Sequence, residues 1–459
     1  MHWRALLVLL PAVLKVAANQ PDPPASPRPR HGKPIEGKYI VELISNNTDI
    51  LHDITSSLNI TPDHYYTHNL LGFAANLTNE HVNKLVDHPM LRSIEQDFET
   101  YGPILENRIS DNETNIIAGL NKHEDEAAVY NETNAVHSTR SSEEKKLNKR
   151  LCIFRCLLLR KNLRVQKNAP WGLARLSYYR LKPWRRGYYY DKRAGEGSCV
   201  YVLDSGLSHR KDDFSGPVRF LKNYSGDPDH DYYGHGTDVA GIIGSRKFGV
   251  AKKTTIFGVK IQNDRGGFRR SALLAGMDFV MRDAPTRHCP RGIVVHISVA
   301  DAYSMLVNDS AKKLVRAGYF VAVAAGDDGR SASRFSPASE RLACAVGATD
   351  RANNLVHYSN YGIKVDVLAP GDDVRSLTLF PRTAGGHGIF VKRGTSFASA
   401  HVAGLAAYLL GLGRNTNGLC GYIASTALKG VVNMGAHSND GTPNLLANNR
   451  INRRTRFET

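Results

Sequence analysis

The chain has 459 residues, of which 42% are hydrophobic and 22% charged, and its formal net charge is +17. This balance is ordinary for a globular protein and excludes a fibre or a repeat array, and the length allows two or three domains. Fourteen Lys or Arg residues and one acidic residue lie between positions 149 and 193. We interpret this basic run as a solvated leader open to processing, with polyanion binding as the alternative; no nucleic-acid motif accompanies it, so no nucleic-acid partner is expected.

The first 18 residues have the pattern of an export signal. Arg4 precedes an apolar run from Ala5 to Leu14, and the small residues Ala17 and Ala18 follow. The run is shorter than a bilayer requires, and no later run of about 20 apolar residues exists, so we expect a secreted, extracellular protein without a membrane span. A buried N-terminal strand or helix is the alternative. Six cysteines and seven N-x-S/T sequons agree with export; the sequons begin at Asn46, Asn59, Asn76, Asn112, Asn131, Asn223 and Asn308.

A small α+β domain is predicted for residues 39–103, after a Pro-rich basic linker at 19–38. Its apolar spacing predicts the order β-α-β-α-β. The strands are expected at 39–43, 72–77 and 91–95, and the helices at 48–58 and 80–87. Residues 104–165 are predicted to form a mostly disordered basic linker. Within it, 151–164 would be either an amphipathic helix or an unstructured leader.

From residue 166 to about 450 strands alternate with helices, which predicts a parallel sheet with helices on both faces. Three short segments of this α/β region carry chemistry. Asp204 ends an apolar strand, His235 begins a helix between two glycines, and Ser396 begins a helix of small residues. The carboxyl ends of parallel strands are where ligands bind, and a helix N-terminus favours developing negative charge.

These three residues predict a Ser-His-Asp triad. A serine hydroxyl needs a base within hydrogen-bond reach, and the base needs a carboxylate to hold its tautomer. Ser396 would be the nucleophile, His235 the general base and acid, and Asp204 the orienting carboxylate. Each segment alone is modest evidence, since a helix cap or a turn would explain it. Their order along the chain, Asp then His then Ser, is the subtilisin order.

Longer segments around the triad resemble the proteinase K branch of the subtilases. The similarity is carried by APWGLAR at 169–175, GVAKK at 249–253, AGMDFV at 275–280, SPAS at 336–339 and GLAAYL at 404–409. Residues 39 to about 101, including SIEQD at 93–97, resemble the inhibitor propeptide of such enzymes.

The resemblance implies a monomeric endopeptidase that acts on protein or peptide substrates and needs no cofactor for its chemistry. Its propeptide would template folding and inhibit the active site from within the same chain. Pairing of Cys199 with Cys289 and of Cys344 with Cys420 is implied as well. Cys152 and Cys156 have no family counterpart. The mature N-terminus stays open between a cut near Tyr101, after Arg150 and near Val165.

The chain departs from the family at the oxyanion hole. Asp327 stands where the family has an Asn whose amide donates to the oxyanion. An ionised carboxylate cannot donate, and losing one such donor costs about 10²–10³ in turnover. A protonated Asp327 would still donate. We therefore expect activity that is lowered and shifted toward acid, with a catalytically impaired peptide-binding protein as the alternative.

The substrate groove and the calcium sites also depart from the family. The groove is expected to be bordered by Gly266 and Gly267 and by a wall in which Asp301 and Ala300 replace two glycines; the other wall residues are Ser298 and Val299. Asp366, with carbonyls near Arg341 and Ala343, matches the family's tighter calcium site. The second site is expected to be lost, because Val431 replaces its carboxylate.

Overall fold

We describe a computed structural model, which covers residues 32–45, 47–101, 162–180, 187–208, 213–377 and 392–451. The predicted signal sequence, the cysteine pair at 152 and 156, and the three sequons at Asn46, Asn112 and Asn131 lie outside these residues. In the described ranges no helix is both long enough and apolar enough to cross a bilayer.

Residues 33–100, here called the N-terminal domain, form one antiparallel sheet with two helices packed on one face. The elements are β1 (Lys33–Leu43), α1 (Asp49–Ser57), β2 (Pro62–Tyr66), β3 (Gly72–Asn76), α2 (Asn79–Val86) and β4 (Leu91–Thr100). The strand order is β4-β1-β3-β2. Side chains alternate between the faces of a strand, so Val41 packs against the helix residues Leu51 and Ile54, whereas Ile40 points to the opposite face.

The expected order of this domain was wrong in one element and one boundary. The strand Pro62–Tyr66 was missed because its residues are polar and it begins with Pro, so it has little apolar alternation. The first strand begins at Lys33, within the predicted linker, because Lys33 and Pro34 pair with Glu99 and Phe98 of β4. That pairing joins the two ends of the domain and has no local sequence signal.

Residues 163–451, here called the C-terminal domain, are built on a nine-stranded sheet. Its strands are β7 (Cys199–Asp204), β8 (Val218–Asn223), β9 (Thr255–Lys260), β11 (Ile293–Ile297), β13 (Phe320–Ala324), β15 (Cys344–Thr349), β16 (Val367–Pro370), β17 (Leu428–Lys429) and β18 (Leu445–Leu446). The strand order is β17-β18-β16-β15-β13-β11-β7-β9-β8. All neighbouring strands from β16 to β8 pair in parallel.

Helices cover both faces of this sheet, and two pairs of short strands form separate two-stranded sheets. The α-helices are α3 (Trp171–Arg175), α4 (His235–Gly244), α5 (Arg270–Asp283), α6 (Met305–Arg316), α7 (Thr395–Gly411) and α8 (Leu419–Thr426). The short strands are β5 (Leu163–Gln166), β6 (Tyr188–Asp191), β12 (Asp301–Ala302) and β14 (Phe335–Ser336). Strand β5 pairs with β6, so residues 163–165, at the end of the stretch predicted to be a disordered linker, belong to a strand.

Two disulfide bonds tie helices and loops of the C-terminal domain to its sheet. Cys199 at the start of β7 is bonded to Cys289, and Cys344 at the start of β15 is bonded to Cys420 on α8. The Cα atoms are 5.6 Å apart in each pair.

The N-terminal domain packs on α5 and α6 through its free sheet face. Ile40 and Tyr66 share a buried apolar cluster with Leu273 and Met277 of α5. A short strand of the C-terminal domain, β10 (Phe268–Arg269), pairs with the last residues of β4 and extends the N-terminal sheet to five strands.

Carboxylates bound to backbone amides fix this packing in register. Asp97 accepts from the backbone N–H and the hydroxyl of Ser271 near the start of α5. Glu95 accepts from Ser304, which caps α6, and from the N–H of Leu306. Both carboxylates therefore lie at helix N-termini, where the helix dipole favours negative charge.

A third carboxylate makes the reciprocal contact. Asp278 of α5 accepts three backbone N–H bonds from consecutive residues of the N-terminal domain, at 3.1, 2.7 and 2.7 Å from Thr67, His68 and Asn69. Hydrogen bonds to a charged group are worth about 1.5–3 kcal/mol. The Asp278 carboxylate is therefore a specific anchor for the loop between β2 and β3.

We predict that Asp278→Ala loosens this anchor, because three amides lose their acceptor at a buried interface. Amide hydrogen exchange at residues 67–69 of the full chain is expected to accelerate by about 10-fold or more. Asp309→Ala, which removes an acidic side chain from α6 that lies 3.4 Å from Lys312, is the matched control. Equal protection in both variants would contradict the anchor.

Candidate active site

Asp204 is the last residue of β7 and is fully buried. Its strand lies between β11 and β9 in the middle of the parallel sheet, so the carboxylate emerges at the carboxyl edge, where such sheets bind ligands. An ionised carboxylate at this depth needs hydrogen-bond donors. It receives them from the N–H of Ser205, from the hydroxyl of Ser298 and from His235.

His235 is the first residue of α4, and its side chain is 3% exposed. Its Nδ1 lies 2.9 Å from both carboxylate oxygens of Asp204. This pairing leaves Nε2 for a substrate or a nucleophile. Glycine is required at position 236 for the start of α4 to pack against the segment after β7, because a Cβ there would lie 2.1 Å from the carbonyl oxygen of Gly206.

The Asp204–His235 pair shifts both pKa values. Burial alone would raise the pKa of Asp204, but the charge of His235 and hydrogen bonds from His235, Ser298 and Ser205 outweigh it, so the pKa is lowered. Burial alone would lower the pKa of His235, but the charge and hydrogen bond of Asp204 outweigh it, and the pKa is raised. The pair therefore favours an ionised carboxylate beside an imidazole that readily accepts a proton.

Ser396 is the second residue of α7, and its side chain is 5% exposed. The structure brings it beside the pair: the rings of His235 and Phe397 are 5.2 Å apart between centroids. Its hydroxyl donates to the carbonyl oxygen of Ser298 at 3.0 Å, whereas the sequence predicts a bond to His235. A turn about χ1 redirects this hydroxyl, and catalytic hydrogen bonds often form only once substrate is bound.

Asp231, which the sequence reasoning missed, holds the triad elements together. It is fully buried, and one of its oxygens accepts from the Ser205 hydroxyl, which itself accepts from the N–H of Gly236. The other oxygen accepts from the backbone and side chain of Thr237. Asp231 thus fixes the end of β7 to the start of α4. Its place four residues before the helix start was the only available signal, since carboxylates favour helix N-termini.

A second missed group is the buried ion pair between Asp238 and Lys392, whose charged atoms are 2.6 Å apart. Asp238 lies one helical turn after His235. Burial raises the pKa of Asp238 to about 6, partly offset by Lys392. The Asp238 charge raises the pKa of His235, and the Lys392 charge lowers it.

A third missed group, His296, supports the backbone of Ser396 through Ser399. His296 of β11 is fully buried, and its Nε2 lies 2.8 Å from the Ser399 hydroxyl, which donates to the carbonyl oxygen of Ser396. Burial lowers the pKa of His296 to about 4. The imidazole is therefore neutral at neutral pH and serves as a hydrogen-bonding support for the first turn of α7.

Asp327 lies beside the start of α7. Its Oδ1 accepts the backbone N–H of Thr395 at 2.7 Å, and its Oδ2 lies 3.0 Å from where a Cβ on Gly394 would be. The carboxylate therefore lies at the N-terminus of α7, with one oxygen bound to the Thr395 amide and the other on the Gly394 side.

The expected substrate groove is occupied by the end of β4. Phe268 pairs with Thr100 and Arg269 with Glu99. The carbonyl oxygen of Thr100 lies 3.4 Å from the position that a Cβ on Gly267 would take. Gly266 has φ +80°, and a Cβ there would overlap the Tyr233 ring.

The residues of the opposite wall, 298–301, have different roles. Ser298 hydrogen-bonds Asp204 and accepts from Ser396, while Val299 packs in the core. Ala300 is half-buried, and Asp301, expected to intrude on the groove, directs its carboxylate to Arg270 and to the hydroxyl of Thr100.

Asp366 lies apart from these residues. It immediately precedes β16, at the opposite edge of the sheet from Asp204, because the strands are parallel. Burial raises its pKa to about 6, although the N–H of Ala345 donates to it. Cys344 and Cys420 lie close to Asp366, but they form a disulfide bond and so offer no thiolate to a metal.

A buried carboxylate–imidazole pair beside a serine at a helix N-terminus is the arrangement that serine peptidases use. Comparison with known families agrees. Residues 195–451 match the model of the subtilase family, and residues 35–101 match that of peptidase inhibitor I9.

Individual relatives give the same answer. The chain is 47% identical to Proteinase T of Parengyodontium album, over 62% of this chain and 94% of that protein. It is 38% identical to Proteinase R of the same organism, over 98% and 99%, and 37% identical to the cuticle-degrading protease of Metarhizium anisopliae, over 98% and 100%. The crystal structure of a cold adapted subtilisin-like serine proteinase matches with a TM-score of 0.55 and 29% identity, over 62% of this chain and 99% of that one.

The chain therefore belongs to the subtilase family. It is a serine endopeptidase of the proteinase K type that carries its own inhibitor domain, as the sequence predicted. The comparisons give no support to the alternative of a peptide-binding protein without activity.

The raised pKa of His235 predicts the acid limb of the pH profile. His235 must be neutral to accept a proton, so kcat/KM is expected to rise with pH along a limb whose midpoint lies above about 6.5. In Asp238→Asn the smaller of the two charges that raise the pKa of His235 is gone, while Asp204 and the opposing charge of Lys392 remain, so the limb should move to lower pH. Asp309→Asn on α6 is the control, and an unmoved limb in Asp238→Asn would contradict this coupling.

Proposed function

We propose that this subtilase cleaves peptide bonds through an acyl-enzyme formed on Ser396. The observation that carries the proposal is the buried Asp204–His235 pair, with Nδ1 held at 2.9 Å, beside Ser396 at the start of α7. His235 takes the Ser396 proton at Nε2 as Oγ attacks the carbonyl carbon. It then returns that proton to the amine as the C–N bond breaks. Water repeats the two steps and releases the acid.

The oxyanion would be stabilised by the backbone N–H of Ser396 and, less well, by the side chain at position 327. The N-terminus of a 17-residue helix directs its amides and dipole toward this point. Asp327 donates only when it is protonated, so we propose that it lowers turnover and does so most when it is ionised.

The N-terminal domain would inhibit the enzyme by filling its groove with β4. The strand pairs with β10 as a substrate strand would, and the carboxylate contacts to α5 and α6 hold the domain in place. Of the three proposed maturation points, cleavage near Tyr101 or after Arg150 leaves β5 whole, whereas cleavage near Val165 divides that strand. We therefore favour the two earlier points.

Export is supported by the signal-like N-terminus and by the two disulfide bonds, which persist in oxidising compartments. Asn59 and Asn76 are exposed and suited to glycosylation. Asn308 is 8% exposed, and its amide donates to Ser339, so that sequon does not suit a glycan in the folded protein.

Calcium binding is proposed at Asp366. A carboxylate together with backbone carbonyls near Arg341 and Ala343 would form the hard oxygen donor set that Ca²⁺ prefers, and the ion would offset the burial of this carboxylate. At the second family site, Val431 presents only hydrocarbon, so its loss remains our prediction.

The proposal is tested by producing the full precursor beside a Ser396→Ala variant and following cleavage between the two domains on a gel. We expect only the unchanged chain to cut itself, because removal of the nucleophile prevents acyl transfer. Ser425→Ala, which removes the hydroxyl of an exposed serine of α8, is the matched control. Identical processing of the precursor and Ser396→Ala would overturn autocatalysis.

We further predict that Asp327→Asn raises kcat at neutral pH, because the amide restores a neutral donor to the oxyanion. The gain should approach the factor of about 10²–10³ that one such donor contributes. Asp328→Asn, the next residue along the loop, is the matched control. No gain in Asp327→Asn would show that position 327 does not face the oxyanion.

A further inference from the structure

We propose that the buried pair of Asp301 and Arg270 determines substrate specificity, selecting Thr or Ser at the peptide position that pairs with Phe268. The inference rests on the proposed peptidase function and names a class of substrate for that site. The end of β4 occupies the groove and shows how a peptide meets the pair.

Thr100 of β4 supplies the first contact. It pairs with Phe268 across the sheet edge, and its hydroxyl donates to Asp301 Oδ1 at 2.9 Å. Asp301 is fully buried and Thr100 is 6% exposed. A hydroxyl at this position therefore reaches a desolvated carboxylate, where a hydrogen bond is worth more than in water.

Arg270 holds the Asp301 carboxylate, which is the acceptor of this hydrogen bond, in place. Its Nε donates to Asp301 Oδ2 at 2.7 Å, which leaves Oδ1 for the peptide, and its Nη1 lies 3.2 Å from Glu95 of β4. Side chains at both ends of the ion pair are less than a tenth exposed. A peptide with Val in place of Thr has nearly the same shape but leaves Oδ1 without its donor, and sites built to bind a hydroxyl reject such analogues strongly.

Phe98 supplies a second, weaker contact. Alternation along a strand places residues 98 and 100 on one face and Glu99 on the other. The guanidinium carbon of Arg270 lies 5.2 Å from the centre of the Phe98 ring, a cation–π contact. The preferred peptide therefore carries an aromatic residue two positions before the Thr or Ser.

The pair accounts for one departure from the family pattern. Asp301 replaces a wall glycine, and its partner Arg270 lies three residues after Gly267, which borders the other side of the groove. Either charge alone would be buried without a partner, which is costly. Together they place one fixed acceptor in the groove, so the wall gains selectivity for a polar group where the family has bare backbone.

The substrate test uses the processed enzyme and internally quenched peptides that carry residues 95–108 of this chain. Position 100 is Thr, Ser or Val. We expect Thr and Ser to differ by less than about 3-fold in kcat/KM and Val to fall by about 10-fold or more. Phe98→Ala in the peptide should cost about 2- to 5-fold. Equal kcat/KM for Thr and Val would overturn the inference while leaving the peptidase function intact.

A double variant assigns the preference to the pair. Arg270→Gln with Asp301→Gly removes both charges and leaves neither unpaired, and it should abolish the preference for Thr over Val. The matched control, Asp309→Ala with Lys312→Gln, deletes an ion pair on the surface of α6 and should keep the preference. A preference that survives the Arg270 and Asp301 changes would overturn the assignment.

A second readout does not depend on turnover. In the full precursor with Ser396→Ala, Thr100→Val should speed amide exchange at residues 98–101 by about 10-fold, whereas Thr100→Ser should not. Faster exchange for Val together with no hydrolysis of any peptide would support the subsite and reject the catalytic proposal. Equal exchange for Thr and Val would reject the subsite itself.

Discussion

The structure depends on keeping a charged carboxylate ionised at the centre of a protein. Asp204 has no exposure, and its charge persists because an imidazole, a hydroxyl and a backbone amide all donate to it. Those donors come from α4, from the segment after β11 and from the end of β7 itself. Satisfying one buried charge therefore fixes the relative positions of three elements, and the position of His235 follows from that constraint.

The same chemistry joins the two domains. Glu95 and Asp97 bind helix N-termini of the C-terminal domain, and Asp278 binds three amides of the N-terminal domain. Because carboxylates meet backbone N–H groups in both directions, the interface has a defined register that apolar packing alone would not give. That register places the end of β4 against β10, so docking and occupation of the groove are one event.

Three acidic side chains near the site, of which Asp301 and Asp327 are departures from the family, are each accommodated by a partner. Asp238 has Lys392, Asp301 has Arg270, and Asp327 has the amide of Thr395. The first pair acts on the pKa of His235 and the second on the groove. The third leaves an acidic side chain at the start of α7, so the electrostatics around Ser396 differ from those of a site built with a neutral amide.

The sequence by itself determined the fold class, part of the secondary structure and the candidate residues of a triad, because apolar periodicity and glycine-flanked motifs are local signals. The end of a strand at Asp204 and the start of a helix at His235 were predicted to the residue. Only the tertiary structure decided which polar groups meet. Asp231, Asp238 and His296 support the site through contacts with residues distant in sequence, and β1 and β5 extend through pairings that close long loops. Such contacts depend on how the elements pack, and no short window of residues encodes them.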